Sequence, residues 1–247
     1  MGYAKSGTAG SIRGKVGDKI YRKVNGETVV GQVPEFINIS YSPGCLKTRF
    51  RFKVSEELSK IIKEEELLYG IWDKMKPVGA NKFSRIMKAN SGVATPKGLN
   101  QNNVITPKQN TVPNRFRKFC TRLVKNSIGI TVDSVYAEMR VHRFNNPILV
   151  PPYTAYFIIY LGRQHSSEDF PEFKILPFKI NVQEESPEKF QHYEIKFDEQ
   201  TKDIIRQYTE AVVFFALVKF NDEVNKYEWS ETASLDCLLY TSDAADE

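Results

Sequence analysis

Two hydrophobic periods divide the chain. From Ser127 onward, apolar residues recur at every second position: Ile128, Ile130 and Val132, then Val135, Ala137, Met139 and Val141. Side chains on a strand point alternately to its two faces, so this pattern predicts half-buried strands. Residues 154–161, 173–182, 192–197 and 211–220 add runs of β-branched and aromatic residues that predict further strands. Tyr227, Glu228, Trp229 and Ser230 are expected to pair back on the last of these across a turn at Asn221-Asp222-Glu223. Pro177 cannot donate to a ladder, so its strand is expected at a sheet edge or to carry a bulge. Residues 201–208 fit a single helical turn between strands. Short strands with turn signals between them predict an antiparallel β-sandwich of immunoglobulin-like style.

Upstream the period changes to that of a helix. Val54, Leu58, Ile61 and Ile62 line one helical face. Ser55, Glu56 and Glu57 provide helix-start chemistry just ahead of most of it. Leu67, Leu68, Ile71, Trp72 and Met75 make a second stripe, stopped by Pro77 and Gly79. Phe83, Ile86 and Met87 face inward on a third helix over 82–89, and Asn90-Ser91-Gly92 ends it. Ser42-Pro43-Gly44 reads as a turn within a connector over 37–47. Nearer the start, Asn25-Gly26 is a strong type I′ hairpin signal. Its flanks predict a β-hairpin over 18–33, closed off at Pro34, behind a segment punctuated by Gly7, Gly10, Gly14 and Gly17. Residues 93–115 are rich in Asn, Thr, Gln, Lys and Pro, which predicts a linker or an extended surface segment.

The expected class is therefore α+β: an N-terminal hairpin with short helices, followed by the antiparallel sandwich. The expected division is a basic hairpin-plus-helices region over 1–92, a polar linker over 93–126 and a β-sandwich domain over 127–236. The peptide CLLYTSDAADE at 237–247 reads as a translated transposase-type sequencing adapter, so those residues are expected to be foreign to the gene.

Charge sharpens the division. Residues 1–126 carry 24 Lys+Arg against 9 Asp+Glu, whereas 127–247 carry 11 against 21. Such a split predicts either a polyanionic partner for the first half or attraction between copies. Three cationic clusters stand out. Arg13, Lys15, Lys19, Arg22 and Lys23 lie on the hairpin. Lys47, Arg49, Arg51 and Lys53 alternate with Leu46, Thr48, Phe50 and Phe52, which on an extended stretch would put four cations on one face. Arg115, Arg117, Lys118, Arg122 and Lys125 are interleaved with Phe116 and Phe119. Cations neutralise phosphates and aromatic rings stack on bases, so these fourteen residues are the candidate polyanion-binding set. A basic solvated surface with its aromatics in the core is the plainer reading of the same residues.

Catalytic patterns are missing. Gly10 and Gly14 enclose three residues and Lys15 precedes Val16, so neither the spacing nor the context of a phosphate-binding loop is met. His142, His165 and His192 form no metal-ligand pair on a helix. Cys45 and Cys120 lack CxxC spacing, which argues against a zinc site or disulfide framework and for a reducing compartment. No GxSxG occurs. The expectation is a protein without enzymatic activity, cofactor or metal. No long apolar run and no secretory leader appear, so a cytoplasmic or virion location without membrane contact is expected.

Gly7, Gly10, Gly14-Lys15-Val16-Gly17, Tyr21-Arg22, Asn25-Gly26, Val29-Val30 and Pro34 occur in order. Arg49 to Phe52 follow, then Asn81, Phe83-Ser84 and Asn90. This order resembles a family of bacterial and phage-associated proteins with no established activity or ligand, over roughly residues 7–90. The resemblance implies an accessory or structural protein of phage-like genomes, acting through a protein partner or self-association. Nucleic-acid binding by the basic half is the alternative.

Overall fold

A computed structural model describes residues 2–4, 14–24, 27–33, 41–75, 80–113, 117, 120–121, 123–140, 151–164, 172–183 and 190–239. The chain divides into two compact units, Met1–Cys45 and Leu46–Glu247.

The first unit is a four-stranded antiparallel sheet. Strands β1 (Gly2–Ala4), β2 (Gly14–Val16), β3 (Lys19–Val24) and β4 (Glu27–Gln32) are ordered β1-β4-β3-β2. The central pair is the hairpin expected from the sequence, with Tyr21 opposite Val30. Its turn at Asn25-Gly26 lies outside the described residues, as do Gly7, Gly10 and Pro34. Gly17 has φ +61° at the β2–β3 turn, a conformation that L side chains resist.

The second unit is built on a six-stranded sheet. Its path is β5 (Cys120–Thr121), β12 (Lys226–Ser230), β11 (Tyr208–Asn221), β8 (Tyr153–Gln164) and β9 (Phe173–Val182). The N-terminal half of β11 also pairs with β13 (Ala233–Leu238). Pairing is antiparallel except for the two-residue β5–β12 contact. β9 is an edge strand, and Pro177 lies within it as expected. A second antiparallel sheet is ordered β10 (Phe190–Lys196), β7 (Ser134–Arg140), β6 (Val124–Ile130). α4 (Glu199–Ile205) follows β10, its N-terminus capped by Asp198, whose carboxylate accepts from the Thr201 amide at 2.8 Å.

Alternation along β8 and β11 sorts the core. Ala155, Phe157, Ile159, Leu161, Val213, Phe215 and Leu217 pack with Ile128, Val135, Ala137, Met139 and Tyr193 of the second sheet. Tyr156, Ile158, Tyr160, Val212, Phe214, Ala216 and Val218 face the other way, onto helices. Those helices are α1 (Pro43–Glu64), α2 (Glu66–Ile71) and α3 (Lys82–Ser91). The unit thus has three layers: helices, six-stranded sheet, three-stranded sheet. Each fully buried Phe, Ile or Leu contributes about 2 kcal/mol, so the two central strands are stabilised from both sides.

Two expectations change. The segment 93–113 is not an exposed tether between domains, because Ala94, Leu99, Val104, Ile105 and Val112 are buried in the helix-side core. Helices and strands therefore share one core, and the break between compact units falls at Cys45–Leu46. Polar composition misleads here because the polar side chains replace regular secondary structure as hydrogen-bond partners. Buried Asn90 donates to the carbonyls of Ile86 and Val104, while its Oδ1 accepts from the Val104 amide and from Asn103 Nδ2. The Thr232 hydroxyl accepts from the amides of Ile105 and Thr106, at 3.0 and 2.9 Å. The indoles of Trp72 and Trp229 donate to the carbonyls of Ile105 and Pro107.

Residues 43–53 also differ, forming about three turns of α1 in place of a connector and an extended run. Ser42-Pro43 is the cause. Pro has no N–H to lose at a first helical position, and the Ser42 hydroxyl accepts from the Cys45 amide at 3.4 Å.

Asn90→Ala removes an acceptor and donor pair that is wholly buried and leaves the Val104 amide without its side-chain partner. The expected cost is about 3 kcal/mol, read as a lower urea midpoint with an unchanged slope.

Candidate functional site

Two exposed surfaces carry the cationic residues. The first is the N-terminal sheet. Register places Lys19, Tyr21 and Lys23 on one face with Val16, Thr28 and Val30, and Ile20 and Arg22 on the other with Lys15 and Val29. Lys15, Lys19, Arg22 and Lys23 are all exposed, and no described side chain in this unit is buried. Among the described residues the sheet thus displays apolar and cationic groups on both faces and buries neither face. Arg13 lies outside the described residues.

The second surface is the start of α1. At 100° per residue, Leu46, Arg49, Phe52 and Lys53 fall within about a third of the helix circumference. They lie opposite the buried face made by Val54, Leu58 and Ile62. Leu46 and Phe52 are 47% and 53% exposed, high for large apolar side chains. Lys53 lies 3.6 Å from the Glu172 carboxylate and over the Phe173 ring, both ion-pair partners being largely exposed. The four cations of this stretch do not share a face as an extended chain would require. Lys47 and Arg51 are one turn apart on another side of the helix.

Arg51 has a structural task. Its guanidinium donates to the carbonyls of Ser91 and Gly92, at 3.2 and 3.1 Å, where α3 ends. Those carbonyls lack intrahelical partners, and a cation there also opposes the negative end of the helix dipole. Asn81 performs the matching role at the other end of α3, its Oδ1 accepting from the Ser84 amide at 2.7 Å. Arg85 similarly donates to the carbonyls of Trp72 and Asp73. The Asn81, Phe83-Ser84 and Asn90 pattern noticed in the sequence is thus a helix cap and a buried hub.

The third cationic cluster is only partly described. Arg117 is exposed and donates from Nε to the Val112 carbonyl at 3.3 Å. Lys125 lies in β6, where only its backbone is described. Arg115, Lys118 and Arg122, with Phe116 and Phe119, lie outside the described residues.

Two cavities in the second unit are mixed in chemistry. One of about 300 Å³ lies between α1 and β9, lined by Lys53, Glu57, Glu172, Phe173, Lys174 and Ile175. Another of about 210 Å³ includes Thr154, Asn181, Lys219 and Phe220. Neither joins a nucleophile to a base. Among the described residues no cluster of three His, Cys, Asp or Glu could hold a metal, and no helix is long and apolar enough to cross a membrane. His192 is exposed and stacks on Tyr136, while His142 and His165 lie outside the described residues. Burial raises the Tyr193 hydroxyl well above the usual phenol range, and it bonds to Tyr153 and Gln191 between the two sheets. This trio was not anticipated, since nothing in the spacing of 153, 191 and 193 marks it.

Burial, helped by the charge of Glu231, pushes the Cys120 thiol up to about 12. No protein-family model matches the chain, and no curated protein matches its sequence.

Two measurements check these assignments. Arg51→Ala should cost about 1–2 kcal/mol by urea unfolding, whereas Lys47→Ala should stay within about 0.5 kcal/mol. Burial both shields the Cys120 thiol and keeps it protonated at pH 8. Iodoacetamide labelling read by peptide mass should therefore reach Cys120 only after denaturation.

Proposed function

We propose that this protein is a non-enzymatic structural or assembly protein, of the kind found in phage-like particles, working through a protein partner or further copies of itself. The observation that carries the reading is the N-terminal sheet. Its four strands bury none of their described side chains, and half-exposed Val29, Val30, Ile20 and Tyr21 are left on its two faces. Among the described residues neither face is packed, and a partner's surface would supply a covering layer. Strand addition at the outer strands β1 and β2 is the natural mode. The three-layer unit is the rigid support, and its immunoglobulin-like style belongs to the same proposal. Resemblance to phage-associated proteins, and a cytoplasmic or virion location, fit it.

Nucleic-acid binding is the second reading. The observation in its favour is Phe52 exposed beside Arg49 and Lys53, an aromatic ring among cations. It predicts retention on single-stranded DNA that falls steeply with salt, the slope dropping by about one for each contacting cation removed.

Native mass spectrometry and light scattering across a concentration series at low salt test the first reading. Oligomers are expected, and Val30→Pro, which breaks the ladder of β4, should shift them to smaller species while the thermal transition of the three-layer unit stays in place. A strict monomer at the highest attainable concentration would sink the proposal.

A further inference from the structure

We propose that copies of this chain join head to tail, with the outer face of the α1 start seated on the β11–β12 hairpin tip of a neighbour. This rests on the assembly reading and names one contact surface for it.

The head is the arc formed by Leu46, Arg49, Phe52 and Lys53: two exposed apolar groups flanked by two cations. The tail is the tip at residues 221–226. Asn221 Oδ1 accepts from the amides of Glu223 and Val224, at 3.1 and 3.4 Å, and Asn225 takes φ +49°. This Asx turn holds Asp222, Glu223 and Val224 outward, all exposed, with Val224 at 46%. Lys226 follows on the returning strand, and Glu228 is engaged by Asn221. Head and tail therefore match in kind: an apolar patch with positive charge faces an apolar side chain with negative charge. Such complementarity sets register and encounter rate more than raw affinity.

Geometry rules out their meeting within one copy. Phe50 packs edge-on against Phe173, with ring centroids 5.8 Å apart, and Lys53 reaches Glu172, so the head lies where β9 begins. Phe173 is opposite Gly162, at the far end of β8. The tail extends beyond Val218, which is opposite Thr154 at the start of β8. From Thr154 to Gly162 the strand alone spans roughly 26 Å. The two surfaces thus sit at opposite ends of the sheet, and α1 runs between them, its other end fixed by Glu65, whose carboxylate accepts from Lys179 at 2.9 Å. A contact between opposite ends of one body is heterologous, and it repeats into a chain or closes into a ring.

Sedimentation velocity on the full chain at low and high salt tests this with two variants, Arg49→Glu/Lys53→Glu and Asp222→Lys/Glu223→Lys. Both change exposed side chains, and circular dichroism with thermal melts verifies folding. Wild type should form salt-sensitive oligomers, each variant should weaken association by at least about tenfold, and an equimolar mixture of the two should recover it. Asp222→Lys/Glu223→Lys associating like wild type, while Val30→Pro shifts to smaller species, would overturn the contact and leave the assembly reading standing. A wild type that is monomeric throughout would remove both. Arg49→Glu/Lys53→Glu that keeps its oligomers but loses retention on a single-stranded oligonucleotide would also overturn it, assigning the head to nucleic acid.

Discussion

Burial of β8 and β11 on both faces is the constraint from which the second unit follows. Tyr156, Ile158 and Tyr160 cannot face water while Phe157 and Ile159 face a second sheet, so an additional layer is required. The helices supply it, and their positions are set by what they must cover. α1 is 22 residues long, but its buried face begins only at Val54. Its last three turns are held by the sheet, while its first turns touch the fold through Phe50 and Arg51 and leave Leu46 and Phe52 exposed. The exposed start of α1 is thus a consequence of helix length exceeding sheet cover, and the residues placed there are free to differ in character from the core face.

The same core depends on a segment, residues 93–113, with little regular structure. Between α3 and β5 the chain crosses the helix side of the sheet, and its backbone groups must find partners without a helix or ladder. Asn90, Asn103, Thr106 and Thr232 provide them, and two tryptophan indoles add a donor each. Close approach is part of the arrangement. Gly98 has φ +128°, and a Cβ there would lie 1.8 Å from the Tyr160 hydroxyl. That hydroxyl donates to the Lys97 carbonyl at 3.1 Å. A buried polar network that is satisfied throughout specifies one arrangement, since any other would leave several groups unpaired.

Legibility in the sequence tracked the range of the interactions. The central hairpin, the helix stripes at 54–62 and 67–75, the strand at 173–182 with its edge proline and the β11–β12 pair all rest on local periodicity or turn chemistry, and they appear where expected. Strands β1 and β2 are three residues each, too short for a period to register. β13 does alternate, Ala233, Leu235 and Cys237 against Ser234 and Asp236, but it runs into the adapter-like peptide at 237 and is defined by pairing with β11. The polar stretch at 93–113 misled because composition reports solvation, whereas its amides and hydroxyls are spent internally. Ser42-Pro43 could have been read as a helix start, and the period-two cations after it then become two pairs on different sides. Arg51 at the end of α3 was not legible, because a side chain forty positions away from its acceptor leaves no local signal.

The exposed surfaces gain meaning from that contrast. A protein able to bury Asn90 and Arg85 with partners, and to cap α3 at both ends, has no difficulty covering apolar groups. Val16, Leu46, Phe52 and Val224 nonetheless stay open. Scattered apolar exposure is ordinary on any surface, but here each lies beside fixed charge: Val16 with Lys15 and Lys19, Leu46 and Phe52 with Arg49 and Lys53, Val224 with Asp222 and Glu223. Charge flanking an apolar spot lowers the gain from indiscriminate sticking, since a neutral apolar partner must desolvate the ions without replacing their interactions. A surface of opposite sign restores them, and in the proposed contact the hairpin tip carries that sign. In the proposed contact, selectivity for a second copy over an arbitrary apolar surface would follow from that pairing, and the opposite ends at which the two patches lie would turn a single weak contact into a repeating one.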